Sequence, residues 1–185
     1  IQYKMIADKK NILIAGDRTL SADELFLQGK KVASGLLQSG LQKGDAVALI
    51  LRNDFSYFVL HDAARYASFE IVPVNWHLKA AEIDYILKDC KAKAVMVHSD
   101  LLTDELKKVI KDLVQIVVPT PGEISKAYSI AEELALPEQN IKIWKDWLDD
   151  SKACELEPVL FCPPLFYTSG TSGRPKAVVR GSIPP

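Results

Sequence analysis

The fold of this chain is decided by residues 46–74, which read AVALILRNDFSYFVLHDAARYASFEIVPV. The apolar runs Ala46–Leu51 and Ile71–Val74 each predict a short buried strand, and between them Asp54 predicts the cap of a helix. Neighbouring parallel strands must be joined by a long crossover. Two fully apolar strands separated by a helix therefore predict one parallel strand–helix–strand unit.

Strands and helices continue to alternate on both sides of this unit. Upstream, a capping box at Ser21–Glu24 predicts a helix that Gly40 ends. Downstream, the pattern predicts a helix over 80–90, a strand over 94–97, a helix marked by apolar residues from Leu102 to Leu113, and a strand over 116–118. This alternation predicts an α/β fold of three layers, in which helices cover both faces of a mostly parallel, twisted sheet.

Residues 120–164 are less regular and carry several prolines. Apolar residues at 130–136 and 143–148 predict two short helices, and the spacing of Trp144, Trp147 and Leu148 predicts one packing face. We expect this region to connect the sheet to the segment that follows it, without forming a domain of its own.

Composition excludes several classes of function. The 185 residues are enough for one compact domain, and a net charge of −1 gives no footprint for nucleic acid. The longest strongly apolar run, Ala46–Leu51, is too short to cross a bilayer, and no signal-peptide pattern opens the chain. Three cysteines without a C-x-x-C pair indicate reduced thiols, and the widely spaced histidines show no metal-ligand pattern. We therefore expect a cytoplasmic protein without a nucleic-acid partner, a transmembrane segment or a bound metal.

The strongest functional signal is the segment Tyr167–Lys176, which reads YTSGTSGRPK. Hydroxyl side chains and the N–H groups of a glycine-rich turn donate hydrogen bonds to phosphate oxygens, and a lysine adds positive charge. The spacing of Lys176 excludes a Walker loop, and a Rossmann glycine pattern is absent. A flexible linker is the alternative. However, the apolar stretches 165–167 and 177–179 flank the segment directly, which favours a binding loop held by two strands.

The string Thr168–Lys176 resembles the phosphate loop of the adenylate-forming superfamily, which includes acyl-CoA synthetases, luciferases and the adenylation domains of peptide synthetases. Two other stretches are similar to sequences of that family. Residues 71–78, IVPVNWHL, resemble its Pro-Val-Asn segment in a variant most like that of fatty-acyl-CoA synthetases, and residues 16–21, GDRTLS, resemble its opening. The resemblance covers nearly the whole chain.

This resemblance implies a reaction in two steps. A carboxylate attacks the α-phosphorus of ATP to give an acyl-adenylate and pyrophosphate, and the thiol of CoA then displaces AMP. The implied cofactors and substrates are ATP, Mg²⁺, CoA and a carboxylic acid, for which a fatty acid is the default. The residues implied to hold the ATP phosphates are Thr168, Ser169, Gly170, Thr171, Ser172, Gly173 and Lys176.

In this family the other functional motifs follow the phosphate loop. The resemblance thus implies an incomplete N-terminal AMP-binding domain that carries no catalytic residue, lacks the C-terminal remainder of the enzyme and is inactive alone. Its expected parts are an α/β subdomain over 1–119, a connecting region over 120–163, and the phosphate loop with its flanking strands over 164–185. Two positions depart from the family pattern: Ala177 replaces a glycine, and Arg180 stands near the place where many members carry a hydroxyl residue and a histidine.

Two alternatives to an acid–CoA ligase stay open. An acyl-AMP ligase or adenylation domain would pass the activated acid to a carrier protein, whereas a non-catalytic nucleotide-binding module would keep only the loop. The residues of the acid pocket and of the acceptor site, which the family carries after the loop, would separate these alternatives.

Overall fold

The computed structural model describes residues 13–137, 141–159, 163–169 and 175–178. The helices are α1 (Ala22–Gln38), α2 (Phe55–Ala67), α3 (Ala80–Asp89), α4 (Asp104–Ile110), α5 (Gly122–Tyr128), α6 (Glu132–Ala135) and α7 (Trp144–Asp150). The strands are β1 (Leu13–Ala15), β2 (Arg18–Leu20), β3 (Ala46–Ile50), β4 (Glu70–Pro73), β5 (Ala94–His98), β6 (Val114–Val118), β7 (Phe166–Ser169) and β8 (Pro175–Val178).

Four strands form the central sheet in the order β4–β3–β5–β6, and all neighbours are parallel. The register pairs Val47 of β3 with Ile71 of β4 on one side and with Ala94 of β5 on the other. The predicted α/β fold with a mostly parallel sheet is confirmed. Two short antiparallel hairpins, β1–β2 and β7–β8, are separate from this sheet.

Both faces of the sheet are buried, and alternate residues of β3 pack on opposite faces. Val47 and Leu49 belong to one apolar cluster, which includes residues of α1, α2 and α7. Ala46, Ala48 and Ile50 belong to a second cluster, which includes residues of α3 and α4. Because strand side chains alternate between faces, one short apolar run supplies both cores, and helices cover both faces as predicted.

The predicted capping signals are present. The Ser21 hydroxyl accepts a hydrogen bond from the N–H of Glu24, and the Glu24 carboxylate accepts one from the N–H of Ser21, which completes the capping box of α1. Asp54 caps α2 by accepting from the N–H of Ser56 at 3.2 Å. Gly40 follows the end of α1 with φ of +94°, a backbone conformation that favours glycine.

Some elements differ from the sequence prediction. The helix expected from Leu102 to Leu113 is shorter, because Thr103 caps α4 with its hydroxyl and residues 99–101 form a 3₁₀ turn before it. Helix α5 and hairpin β1–β2 were not predicted, since both are too short to show a clear apolar period. The two helices expected within 130–148 are present as α6 and α7.

Helix α7 and residues of the stretch 151–159 pack against the α1–α2 face of the sheet. Trp147 is buried in the first apolar cluster, and Trp144 and Leu148 pack against that cluster, so the predicted packing face is confirmed. Farther along the chain, the N–H of Val159 donates to the C=O of Arg65 in α2 at 2.9 Å. This stretch therefore runs across the surface of the helices instead of extending away from them.

Candidate functional site

The segment predicted to bind phosphate is carried by hairpin β7–β8. Its antiparallel register pairs Ser169 with Pro175 and Thr168 with Lys176, so the predicted lysine and threonine are opposite each other across the hairpin. Both Thr168 and Lys176 are exposed. The other predicted phosphate-binding residues, Gly170, Thr171, Ser172 and Gly173, lie outside the described residues.

The sequence explains why these two strands form. Phe166 and Tyr167 have high strand propensity, and Pro175 occupies the first position of β8, where a strand tolerates proline. Ala177 lies inside β8 opposite Tyr167. Alanine adopts extended backbone without strain, so the replacement of the family's glycine is compatible with this hairpin. Arg180 lies outside the described residues.

Two hydrogen bonds attach the base of the hairpin to the sheet and to α3. The N–H of Leu165 donates to the C=O of Ile71, in edge strand β4, at 2.8 Å. The Tyr167 hydroxyl donates to Asp89 Oδ2, at the last residue of α3, at 2.5 Å. Burial and this bond to Asp89 raise the pKa of Tyr167 well above its usual value, so the phenol stays protonated and acts as the donor.

A polar cluster lies at the carboxyl ends of the parallel strands, the edge at which open α/β sheets bind ligands. Arg52 Nη2 donates to Asp100 Oδ2 at 2.7 Å, and Asp100 Oδ1 accepts from the Thr120 hydroxyl at 2.6 Å. The Arg52 guanidinium carbon lies 4.0 Å from the ring centroid of Trp76 and 4.2 Å from that of Tyr128. A buried cation is thus held by one carboxylate and two aromatic faces.

His98 connects this cluster to a second buried carboxylate, Asp54. The Nδ1 of His98 accepts from the N–H of Arg52 at 3.1 Å, and its Nε2 lies 3.8 Å from Asp54 Oδ2, which is longer than a hydrogen bond. Burial opposes the ionisation of Asp54. The polar contact with His98 and the hydrogen bonds from Arg18 and Ser56 outweigh burial and hold the pKa of Asp54 far below its usual range. Asp54 therefore stays ionised as the N-cap of α2.

The cavity next to Asp54 has a volume of about 330 Å³. It is lined by polar groups of Arg18, Ser56 and Thr120 and by apolar groups that include Trp144. The polar groups bond to other protein groups: Arg18 to Asp54, Ser56 to Asp54, and Thr120 to Asp100. The Arg18, Ser56 and Thr120 side chains that line this cavity are thus already hydrogen-bonded within the protein.

The other residues singled out in the sequence show ordinary packing chemistry. His61 lies half-buried in α2, where burial lowers its pKa and favours the neutral imidazole. Cys90 and Cys154 are free thiols, and burial raises the pKa of the Cys90 thiol to about 11, which makes it a poor nucleophile; Cys162 lies outside the described residues. Across the described ranges, no group of three or more His, Cys, Asp or Glu side chains could hold a metal ion. None of the helices in those ranges is long and apolar enough to cross a membrane.

Sequence reasoning did not identify Arg52, His98 and Thr120 as a group. Each of them ends or closely follows a buried parallel strand. A polar residue at the end of an apolar run was the available signal, because the carboxyl ends of parallel strands meet at one edge of the sheet.

Comparison with known proteins identifies the family and the fold. A sequence model of the family described as AMP-binding enzyme matches residues 6–181. The putative acyl–CoA ligase YdaB of Bacillus subtilis (strain 168) is 30% identical over 162 residues, which cover 88% of this chain and 30% of that protein. The fatty acid–[acyl-carrier-protein] ligase ScoC of Streptomyces coeruleorubidus is 29% identical over 164 residues, which cover 88% of this chain and 28% of that protein.

The fold is shared with a solved structure, that of the anthranilate CoA ligase AuaEII in complex with anthranoyl-AMP. The TM-score is 0.73 at 22% identity, over 91% of this chain and 31% of that chain. The chain spans less than a third of the length of each of these three proteins.

Proposed function

The chain belongs to the AMP-binding enzyme family, and from this membership we propose that it forms the phosphate-binding part of an enzyme that joins a carboxylic acid to CoA at the expense of ATP. The acid in this proposal is a fatty acid. Its support is the resemblance of residues 71–78 to fatty-acyl-CoA synthetases and a relative named as a fatty acid ligase. The sequence relatives also include ligases named for another acid, 2-succinylbenzoate.

The observation that carries the proposal is the position of Lys176. It lies exposed on β8, opposite Thr168, and in the sequence it closely follows the glycine-rich residues 170–174. An ammonium group there attracts phosphate charge, while the hydroxyls and N–H groups of the loop supply hydrogen bonds. In the proposed site the β- and γ-phosphates of ATP are bound by Thr168, Ser169, Gly170, Thr171, Ser172, Gly173 and Lys176.

The chemistry of acid activation explains what such a loop must do. A free carboxylate does not react with a thiol, because oxide would have to leave. Attack of a carboxylate oxygen on the α-phosphorus breaks the bond to pyrophosphate and leaves an acyl-adenylate, from which the CoA sulfur later displaces AMP. Negative charge accumulates on pyrophosphate in the first step, and Lys176 offsets it there. Mg²⁺ would enter with ATP as part of the substrate, coordinated mainly by phosphate oxygens.

The test is the variant Lys176→Ala in the natural full-length protein, with the two half-reactions assayed separately. A charge-assisted hydrogen bond contributes about 1.5–3 kcal/mol, so the formation of acyl-adenylate from ATP and fatty acid should slow roughly ten- to hundredfold. The transfer of the acyl group from preformed acyl-adenylate to CoA should keep its rate. Lys145→Ala is the matched control, because that lysine is 79% exposed in an ion pair on α7.

Equal slowing of both half-reactions, or slowing of the second one alone, would show that Lys176 does not act on the departing pyrophosphate.

The alternative acceptor is a carrier protein, as in the relative ScoC. It is tested by offering the wild-type protein CoA and a pantetheinylated carrier protein in parallel. Preferential loading of the carrier would mean that the acceptor is a carrier protein and not CoA. A protein that binds ATP but forms no acyl-adenylate with any acid tested would support the non-catalytic alternative.

The proposal also includes a division of the chain and a location. Residues 1–119 form the α/β subdomain, 120–163 the connecting region, and 164–185 the phosphate loop with its strands. The burial of Trp147 against the α1–α2 face supports a connecting region that is part of the same body. A cytoplasmic location is supported by the free thiols of Cys90 and Cys154.

A further inference from the structure

We propose that the hydrogen bond between Tyr167 and Asp89 orients the phosphate-binding hairpin, which makes Tyr167 a positioning residue of the nucleotide site. The consequence for ATP rests on the proposed function. The consequence for the order of the hairpin does not, because it follows from contacts among the described residues.

Asp89 occupies a helix position at which an acidic side chain is unfavourable. It is the last residue of α3, where the carbonyl ends of the helix dipole disfavour a carboxylate. Asp84, the other aspartate of α3, forms an ion pair with Lys88 at 2.6 Å. Asp89 instead accepts the hydrogen bond of Tyr167, a residue 78 positions away in the chain. A locally unfavourable residue with a distant partner indicates that its role lies in the contact it makes.

The alternation of strand side chains connects this bond to the phosphate-binding residues. Tyr167 is partly buried against the second apolar cluster, beside α3. Thr168 is one position along β7 and is exposed together with its cross-strand partner Lys176. Because successive strand side chains point to opposite faces, fixing Tyr167 against α3 fixes the direction in which Thr168 and Lys176 point.

A second point of attachment is needed to set that direction. The bond from Leu165 to Ile71 holds the chain at one point of edge strand β4. Leu165 also packs against the second apolar cluster, so the base of the hairpin is held where it meets the sheet. The Tyr167–Asp89 bond lies two residues farther along and fixes the direction of the hairpin beyond this point, which lowers the entropy that nucleotide binding would otherwise have to remove.

The first experiment needs no nucleotide. Amide hydrogen exchange is followed by mass spectrometry for peptides within 163–178 in the full-length wild type and in Tyr167→Phe, Asp89→Ala and the double variant. Each single variant should exchange roughly tenfold faster in these peptides, and the double variant no faster than the singles, because all three lack the same bond. Peptides from β3 should be unchanged, which confirms that the variants fold.

Matched controls separate this bond from general loss of a hydroxyl or a charge. Tyr57→Phe removes a phenol on α2, which covers the opposite face of the sheet, and Asp84→Ala removes a carboxylate from an exposed pair on α3. Both should leave the exchange of the hairpin unchanged. Hairpin exchange at the wild-type rate in Tyr167→Phe, or additive effects in the double variant, would overturn the positioning role.

The second experiment measures the consequence for ATP. In the adenylation half-reaction, Tyr167→Phe and Asp89→Ala should lower kcat/KM for ATP about tenfold, chiefly through KM, and leave the transfer from preformed acyl-adenylate to CoA unchanged. Faster hairpin exchange together with a wild-type protein that does not use ATP would refute the proposed function and keep the structural role of the pair. Unchanged KM for ATP despite faster exchange would refute the link between the pair and the nucleotide.

Discussion

Replacing Asp62 with asparagine should stabilise the fold near neutral pH. The side chain of Asp62 on α2 is 5% exposed, and its Oδ1 accepts from Arg65 Nη1 at 3.1 Å. Its Oδ2 has no hydrogen-bond partner and lies so close to Gly29 of α1 that a β-carbon there would collide with it. Burial raises the pKa of Asp62 to about 6, although the charges of Arg65 and Lys30 act in the opposite direction.

The size of the effect follows from this pKa. The rise from 3.8 to about 6 is roughly two units, so the ionised carboxylate lowers the free energy of unfolding by at most about 3 kcal/mol relative to the neutral acid. Asparagine hydrogen-bonds differently from the acid, and water screens the partly exposed Arg65, so we expect a gain of about 1–2 kcal/mol. The folded pKa is the higher one. The contribution of the neutral acid to the stability of the fold is therefore fully present below about pH 4, near the unfolded pKa. It is lost as the pH rises through the folded pKa of about 6.

Urea unfolding of wild type and Asp62→Asn at about pH 5 and about pH 7.5 measures this contribution. The variant should gain more at the higher pH, because the wild-type carboxylate is ionised there. His61 acts oppositely in the same window, since burial lowers its pKa below 6.5 and its charging destabilises the fold as the pH falls. Because His61 is present in both proteins, its contribution cancels in the difference in free energy of unfolding between wild type and variant. Asp84→Asn, in an exposed pair, should show no such dependence; a loss of stability in Asp62→Asn at both pH values would refute the reasoning.

Two further predictions concern packing and a buried ion pair. Arg52→Ala leaves Asp100, whose side chain is 3% exposed, without its guanidinium partner and should lower the free energy of unfolding by about 3–5 kcal/mol in urea; a change under 1 kcal/mol would mean that water replaces the guanidinium. Gly35→Ala would bring a β-carbon to 2.6 Å from Ser151 Oγ and 2.9 Å from Trp147 Cε3, so it should cost about 1–3 kcal/mol in the same assay, whereas Gly122→Ala, with open space at that position, should cost nothing.

The sheet could be predicted because its information is local. The run Ala46–Leu51 is apolar without interruption, and Ser21 and Asp54 cap helices through bonds to residues two or three positions away. Such patterns can be read within a single turn or strand. Hairpin β1–β2 and helix α5 were not predicted, because each has too few residues to show a periodic pattern of apolar residues.

The candidate site could be predicted only in part. Composition singled out residues 167–176 as a candidate for phosphate binding, and the structure puts Thr168 opposite Lys176. The partner of Tyr167 could not be predicted, because Asp89 lies 78 positions earlier and no local pattern links them. The pair Arg52–Asp100 is 48 positions apart and meets only after β3 and β5 have paired. Long-range polar contacts of this kind depend on the order and register of the strands, which local patterns in a single sequence do not specify.

The strand order has a consequence for how this protein is made. β3 is the first strand of the sheet to leave the ribosome, yet it lies between β4 and β5. Its residue Val47 has no complete set of neighbours until Ala94 has been synthesised. Until then an uncharged, strand-forming segment, residues 46–50, is open to association with other nascent chains. Slower translation between α2 and β5 would lengthen that exposure, so the yield of folded protein should depend on codon usage in that interval and on chaperones that shield the segment.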